Sequence, residues 1–226
     1  AALAERLDRR FEVLAERSRP GRERHASLVD VLDDTVSALD GDEHDLLVRM
    51  TAFPSRFSLD DLVGVARGRE GDPIEVALGR LLDRSLVVRD GGAQPRYRLL
   101  ETVKLFVRQR SAPEQVDAVD GRHAEWCLAE VGDDPRRFLY DFDLADWYGA
   151  HFDDLRTATH HLRRIDRPED AARLTAASGL TVHSDSGARA AEVLGRVRDQ
   201  LSTVADDRLA AQLHLTAVLC GCLLYT

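Results

Sequence analysis

Cysteine, methionine and tryptophan are scarce in this chain of 226 residues, with three, one and two copies. The cysteines, Cys127, Cys220 and Cys222, are too few and odd in number for a disulfide framework, so reduced thiols of a cytoplasmic protein are the expectation. No apolar run approaches the roughly 20 residues that span a bilayer. The opening Ala1-Ala2-Leu3-Ala4-Glu5-Arg6 lacks the apolar core of a signal peptide. It also lacks an initiating Met, and the apolar end from Leu219 to Thr226 has no helix stop apart from Gly221. Both ends are therefore expected to be cuts through a longer protein. Basic charge is in deficit, with 31 Lys and Arg against 40 Asp and Glu and a net charge of -9. Affinity for DNA rests on neutralising phosphates, so this balance argues against the whole chain being a DNA-binding unit. It leaves protein partners open.

Catalytic signatures are missing as well. No G-x-x-x-x-G-K-[ST] stretch offers a backbone cradle for nucleotide phosphates. His123 and Cys127 have the i, i+4 spacing of two metal ligands on a helix, but no second pair accompanies them, and packing explains them. Cys220-x-Cys222 is not a redox C-x-x-C pair. His160-His161 beside Asp153-Asp154 suggests acid–base chemistry only superficially, because adjacent helical residues point in different directions. No Ser or Cys has a readable base partner. The expectation is a non-catalytic chain that binds no metal and no cofactor of its own.

What is present reads as helix. Hydrophobic residues make up 44% and charged residues 31% of the chain, enough for a core with solvated outer faces. Leu3, Leu7, Phe11 and Leu14 make one apolar stripe over residues 3–17, and a second helix is expected over 27–39. The next helix spans residues 42–53, with Leu46, Leu47, Met50 and Phe53 inward and Pro54 as its stop. Ser58 with Asp61 reads as an N-cap close to a capping box. Asp72-Pro73 opens a helix with Ile74, Ala77, Leu78, Leu81 and Leu82 inward. Leu86 to Arg89 then reads as a strand, Asp90-Gly91-Gly92 as a turn, and Arg96 to Leu99 as the returning strand. A helix over 101–110 closes the unit. Three helices, a two-stranded wing and a closing helix describe a winged helix-turn-helix over residues 41–111. After Ser111-Ala112-Pro113 everything reads as helical, at about 114–131, 137–149, 151–165, 168–182, 187–202 and 205–224. The fold class is mainly α: a winged helix-turn-helix with a two-stranded wing, then a tetratricopeptide-like (TPR-like) antiparallel helical array over 112–226. No clean 34-residue repeat is present, so the array rests on helix lengths and spacing, and a plain bundle stays open.

Three stretches carry a resemblance: Phe57-Ser58-Leu59-Asp60, Leu81-Leu82-Asp83-Arg84-Ser85-Leu86-Val87, and Arg96-Tyr97-Arg98-Leu99-Leu100-Glu101-Thr102-Val103. Together they resemble the winged-helix region of bacterial STAND-type NTPase regulators, the AfsR-like and LuxR-like large transcriptional regulators. Arg122-His123-Ala124-Glu125-Trp126, and Trp147 with Phe152-Asp153-Asp154-Leu155-Arg156, resemble the first helices of the array in that family. The resemblance implies that residues 1–40 end a helical lid, that an effector and a P-loop NTPase domain belong to the parent protein, and that ATP or ADP and Mg²⁺ bind there. It implies that the winged helix docks on the NTPase domain and that the array receives a protein partner or small-molecule inducer. In many members a Met-His-Asp-like triplet meets the nucleotide phosphate. Here the triplet falls on Leu99-Leu100-Glu101, so Leu100 and Glu101 are the nucleotide-facing positions. Leucine has no donor for a phosphate and Glu101 repels one, so the chain departs from the family there.

Two further sets of residues are candidates. If the winged helix reads DNA itself, Arg80 and Arg84 on its third helix and Arg96 and Arg98 on the wing are the groups to meet phosphates, with Arg89 beside them. The other reading pairs these arginines with neighbouring carboxylates or turns them to the NTPase domain. Trp126, Trp147 and Tyr148 are candidates for a ligand or partner surface in the array, against a reading as inter-helix core. Nucleic acid is otherwise not expected as a partner of this chain, and membrane is not.

Overall fold

A computed structural model describes residues 29–66, 74–92, 95–132, 142–179 and 187–224. The expected helix over 3–17 and the Asp72-Pro73 helix start lie outside these residues. Residues 29–37 are helical. The winged helix follows as α1 (Gly41–Met50), α2 (Leu59–Ala66), α3 (Ile74–Asp83), β1 (Val87–Asp90), β2 (Arg96–Leu99) and α4 (Glu101–Arg110). The array follows as α5 (Pro113–Val131), α6 (Phe142–Ala150), α7 (Phe152–Arg164), α8 (Pro168–Gly179), α9 (Gly187–Gln200) and α10 (Asp207–Leu224).

Local chemistry sets these boundaries. Two reciprocal capping boxes start the first two helices. Asp40 Oδ1 accepts from the Glu43 N–H at 2.8 Å, while Glu43 Oε2 accepts from the Asp40 N–H at 3.1 Å. Ser58 and Asp61 make the same exchange, at 2.7 and 3.1 Å. The second box is legible in the sequence, and the first makes Asp40 the N-cap of α1. Helix α3 ends in a Schellman turn. Ser85 takes φ 59°, its N–H donates to Leu82 O, and the Leu86 N–H reaches back to Leu81 O at 3.1 Å. Asp166 (φ 60°) closes α7 in the same way, with the Arg167 N–H donating to Leu162 O.

The wing pairs antiparallel with Val87 opposite Leu99 and Asp90 opposite Arg96. It gains a neighbour that period-2 alternation does not show. Phe57, just before α2, exchanges both backbone hydrogen bonds with Tyr97, at 2.9 and 2.8 Å. A single bridge residue is too short for an alternating pattern to reveal. It fixes the wing against the start of α2.

The winged helix and the first array helices share one hydrophobic core. Leu47, Met50, Phe57, Leu62, Leu81 and Val107 continue without interruption into Cys127, Val131, Tyr148, Leu155, Leu162 and Leu174. Each fully buried side chain of this size contributes about 1.5–3 kcal/mol. A second cluster gathers Phe152, Ala172, Val193, Val197, Leu213 and Cys220 among α7 to α10. Side-chain links reinforce the α4–α5 corner. Arg108 grips Asp120 with two bonds of 2.8 and 2.6 Å, and Lys104 Nζ donates to Phe53 O at 2.7 Å, serving the carbonyl ends behind α1.

Two glycines let helices approach closely. A Cβ on Gly64 of α2 would stand 2.5 Å from Trp126 Nε1, and one on Gly179 of α8 would stand 2.0 Å from Thr216 Cγ2 of α10. Trp126 is 6% exposed and held by neighbours on several sides, so its indole cannot swing aside. Gly64→Ala is therefore expected to destabilise the chain by about 1–3 kcal/mol through overpacking, despite the better helix propensity of alanine. Urea unfolding monitored by tryptophan fluorescence checks this, and a variant as stable as the parent would show that α2 and α5 do not meet so closely.

Candidate functional site

The residues that carry function in a winged helix lie on its third helix, its wing and its outer corners. Helix α3 presents Arg80, with Arg84 just beyond it in the closing turn, toward the capping box of α1. Arg80 Nη1 lies 2.8 Å from Asp40 and 3.7 Å from Glu43, and Arg84 Nη2 lies 3.6 Å from Glu43. Glu43 is itself 2% exposed, so these guanidinium groups neutralise a buried carboxylate. Ala38, Asp40, Glu43, Arg80, Asp83 and Arg84 line a shallow cavity of about 400 Å³ whose charges are mixed in sign.

The wing arginines are engaged likewise. Arg96 Nη1 stands 3.5 Å from Asp61, and Arg98 Nε stands 3.6 Å from Asp90. Asp90 also pairs with Arg56, and this pairing holds its carboxyl below the usual carboxylate range. All four arginines named for DNA contact thus lie within 4 Å of a carboxylate. Arg89 is exposed on the outer side of β1. Leu100 is the N-cap of α4, makes no side-chain cap bond and is 38% exposed, with Glu101 exposed beside it.

The aromatic candidates lie elsewhere. Trp126 and Tyr148 are 6% and 0% exposed and belong to the shared core, so neither offers a surface to a ligand. Only Trp147 is half-buried. Trp126 is the hub of a ring cluster, edge-on to Phe53 at 5.9 Å, to Trp147 at 5.6 Å and to His151 at 5.7 Å. Close packing of flat rings from α5 and α6 against the end of α1 accounts for their burial.

His151 is the residue that sequence reading missed. It lies between α6 and α7, stacks on Trp147 at 4.2 Å and hydrogen-bonds through Nδ1 to Trp147 O at 2.8 Å. Its Nε2 is 3.2 Å from Asp61 Oδ2, a charge contact off the axis of a good hydrogen bond. Asp61 sits on α2, so this pair ties the winged helix to the array. Burial alone lowers the His151 pKa, but the Asp61 carboxylate and the Trp147 carbonyl outweigh it and hold the imidazole above its ordinary value. Burial likewise raises Asp61, and His151 with the Ser58 bonds brings it below its ordinary value. Only the sequence separation, 90 positions between two polar residues, concealed the pair.

A second buried pair, His123 Nε2 with Asp154 Oδ1 at 2.9 Å, joins α5 to α7, both residues 1% exposed. Cys127, one turn from His123, has its thiol pushed well up by burial and then by Asp154, so it does not act as a thiolate. His160 is exposed, whereas His161 is 7% exposed and faces Arg164 at 3.1 Å. Among the described residues no group of three or more His, Cys, Asp or Glu is placed to hold a metal ion, and no helix is long and apolar enough to cross a membrane.

The Asp61–His151 pair predicts a pH dependence. A raised His151 contributes stability that is complete below the ordinary value of 6.5 and is lost as pH rises through its folded value. A lowered Asp61 contributes stability that is complete above the ordinary 3.8 and is lost as pH falls through its folded value. The difference in stability between the parent and His151→Gln is therefore expected to be largest between about pH 4 and 6.5 and to shrink above that window. Urea titrations at pH 5.5 and 8.5 read it out. A difference independent of pH would mean that the imidazole packs there without its charge.

Comparison with known proteins supports the local fold. Residues 39–112 match the family model of a winged helix-turn-helix domain. Proteins of Mycobacterium bovis and of two strains of Mycobacterium tuberculosis, each carrying the name HTH-type transcriptional regulator as a provisional assignment, are 33% identical over 130 residues. That alignment covers 56% of this chain and 15% of each relative, so the chain spans a small part of their length. No solved structure matches it. The chain thus carries a winged helix-turn-helix domain related in sequence to part of large mycobacterial HTH-type regulators.

Proposed function

We propose that this chain is a regulatory segment of a STAND-type transcriptional regulator, in which the winged helix docks on an NTPase domain and the helical array acts as sensor or protein-interaction surface. The observation that carries this reading is the internal pairing of Arg80, Arg84, Arg96 and Arg98 with Asp40, Glu43, Asp61 and Asp90. A DNA reader must present its cations to phosphates, and releasing these would leave the buried Glu43 uncompensated. The net charge of -9 adds long-range repulsion. The shared core supports the same reading, because a winged helix welded to an array transmits the array's state to whatever it docks on.

In the parent protein, ATP or ADP with Mg²⁺ would belong to the NTPase domain. Leu100 and Glu101 would face it without contributing a phosphate donor. Nothing in the reading assigns chemistry to this chain itself. A second reading, direct DNA binding, draws on the names of the mycobacterial relatives and on the exposed Arg89.

Fluorescence anisotropy with a labelled duplex separates the two. In about 50 mM salt the chain is expected to show no saturable binding tighter than about 100 μM, the weak end of the non-specific range. Micromolar binding that weakens steeply with salt and is lost in Arg89→Gln with Arg98→Gln would transfer the role to DNA contact. For the docking reading, co-purification of the chain with the parent NTPase domain in ADP is expected, and Leu100→Asp is expected to weaken it without lowering the chain's own stability.

A further inference from the structure

Among the described residues, no carboxylate lies within salt-bridge reach of Arg196 on α9, and burial lowers its pKa against the more distant pull of Glu192. All three guanidinium nitrogens of Arg196 are buried without a hydrogen bond, and one turn on, Gln200 is 1% exposed with neither amide atom bonded. Residues at i and i+4 share a helix face, so the fork and the amide stand side by side. Val193 and Val197 place that face in the apolar cluster of α7 to α10, with Phe152, Leu213 and Cys220.

Among the described neighbours, Glu192 offsets part of the charge from a distance while Arg156 opposes it, and none accepts a hydrogen bond from the guanidinium. Glu192 Oε2 lies 3.9 Å from Arg156 and within 4 Å of no nitrogen of Arg196. Burial pushes the Cys220 thiol up despite the nearby arginine, so it stays protonated. The Thr216 hydroxyl donates to Ala176 O. The Phe152 ring lies 5.3 Å from Arg196 Cζ, and its quadrupole repays only part of the desolvation of a guanidinium. A buried guanidinium without a carboxylate is strongly destabilising, and its planar donors match the two oxygens of a carboxylate or phosphate.

We propose that Arg196 and Gln200 form a binding site for a small oxyanion, the carboxylate or phosphate group of a diffusible ligand, enclosed by α7, α9 and α10. Arg196 offers the paired N–H donors and Gln200 one more. Because the nitrogens are buried, the ligand must part the helices to reach them, and its binding shifts the array between closed and opened packings. The site gives the sensor role proposed above a ligand class and rests on that role only for its biological meaning.

Thermal unfolding of the full chain tests the site, with sodium phosphate or sodium acetate replacing sodium chloride at constant ionic strength and pH 7.5. The parent and the exposed-site control Arg198→Gln are expected to gain about 2–4 °C in midpoint. Arg196→Met is expected to gain nothing, and to melt higher than the parent in chloride because the unpaired charge is gone. Gln200→Leu keeps Arg196 and loses part of the rise. A rise with phosphate alone assigns the site to phosphate, and a rise with both admits carboxylates. A parent that responds to neither anion, or an Arg196→Met that keeps the full rise, overturns the proposal. No DNA or NTPase domain enters the measurement, so its failure leaves the docking reading standing, and duplex binding leaves this one standing.

Discussion

The winged helix and the array approach each other closely where α2 meets α5, at Gly64 and Trp126. A glycine at that point lets an indole lie against backbone, with Phe53, Trp147 and His151 around the same ring. A Cβ at position 64 overlaps the indole, so the two elements must shift apart in a core that runs through both. The Phe57–Tyr97 bridge, the α4–α5 grip of Arg108 on Asp120 and the Asp61–His151 contact are all arranged around this junction. They make the winged helix a rigid extension of the first array helices.

Rigidity at the junction has an electrostatic counterpart. The carboxylates of the two capping boxes serve twice. Glu43 and Asp61 each cap a helix and also pair with arginines from α3 and the wing, and Asp61 reaches His151 as well. An acid at N3 is placed for its own helix dipole and, once buried, needs cations to compensate it. The arginines that look available for phosphates when read along the chain are thereby committed. The same few acids explain why helix starts, wing position and surface charge are coupled in this fold.

How much of this is legible from the residues depends on range. The strand Arg96–Leu99 and the helix Glu101–Arg110 follow from alternation and from helical spacing within a ten-residue window, and the Ser58–Asp61 box from a four-residue pattern. The Phe57–Tyr97 bridge, the Gly64–Trp126 contact and the Asp61–His151 pair join residues 40 to 90 positions apart, and no local period encodes them. Trp126 and Tyr148 show the limit from the other side. Their spacing on helices fits an exposed face or a buried one, and only the helix laid against them decides. Pro113 as the first residue of α5 marks a helix start correctly, yet the core runs across it, because a break in secondary structure is not a break in packing.

Polar satisfaction divides the molecule more sharply than the chain does. Among the described residues, the winged helix has no buried side-chain nitrogen or oxygen lacking a hydrogen bond, whereas His151 Nε2, Asp154 Oδ2, Thr175 Oγ1 and the groups of Arg196 and Gln200 lack one, all in the array. A fully satisfied unit has one packing that is far better than its rivals, and a unit with uncompensated buried groups does not. Each of those groups gains a partner by rearrangement, by protonation, or from a bound water or ligand. Because the winged helix shares its core with the first helices of the array, a change at α9 would on the proposed reading reach α2, α4 and the wing as a shift in position, without the winged helix refolding.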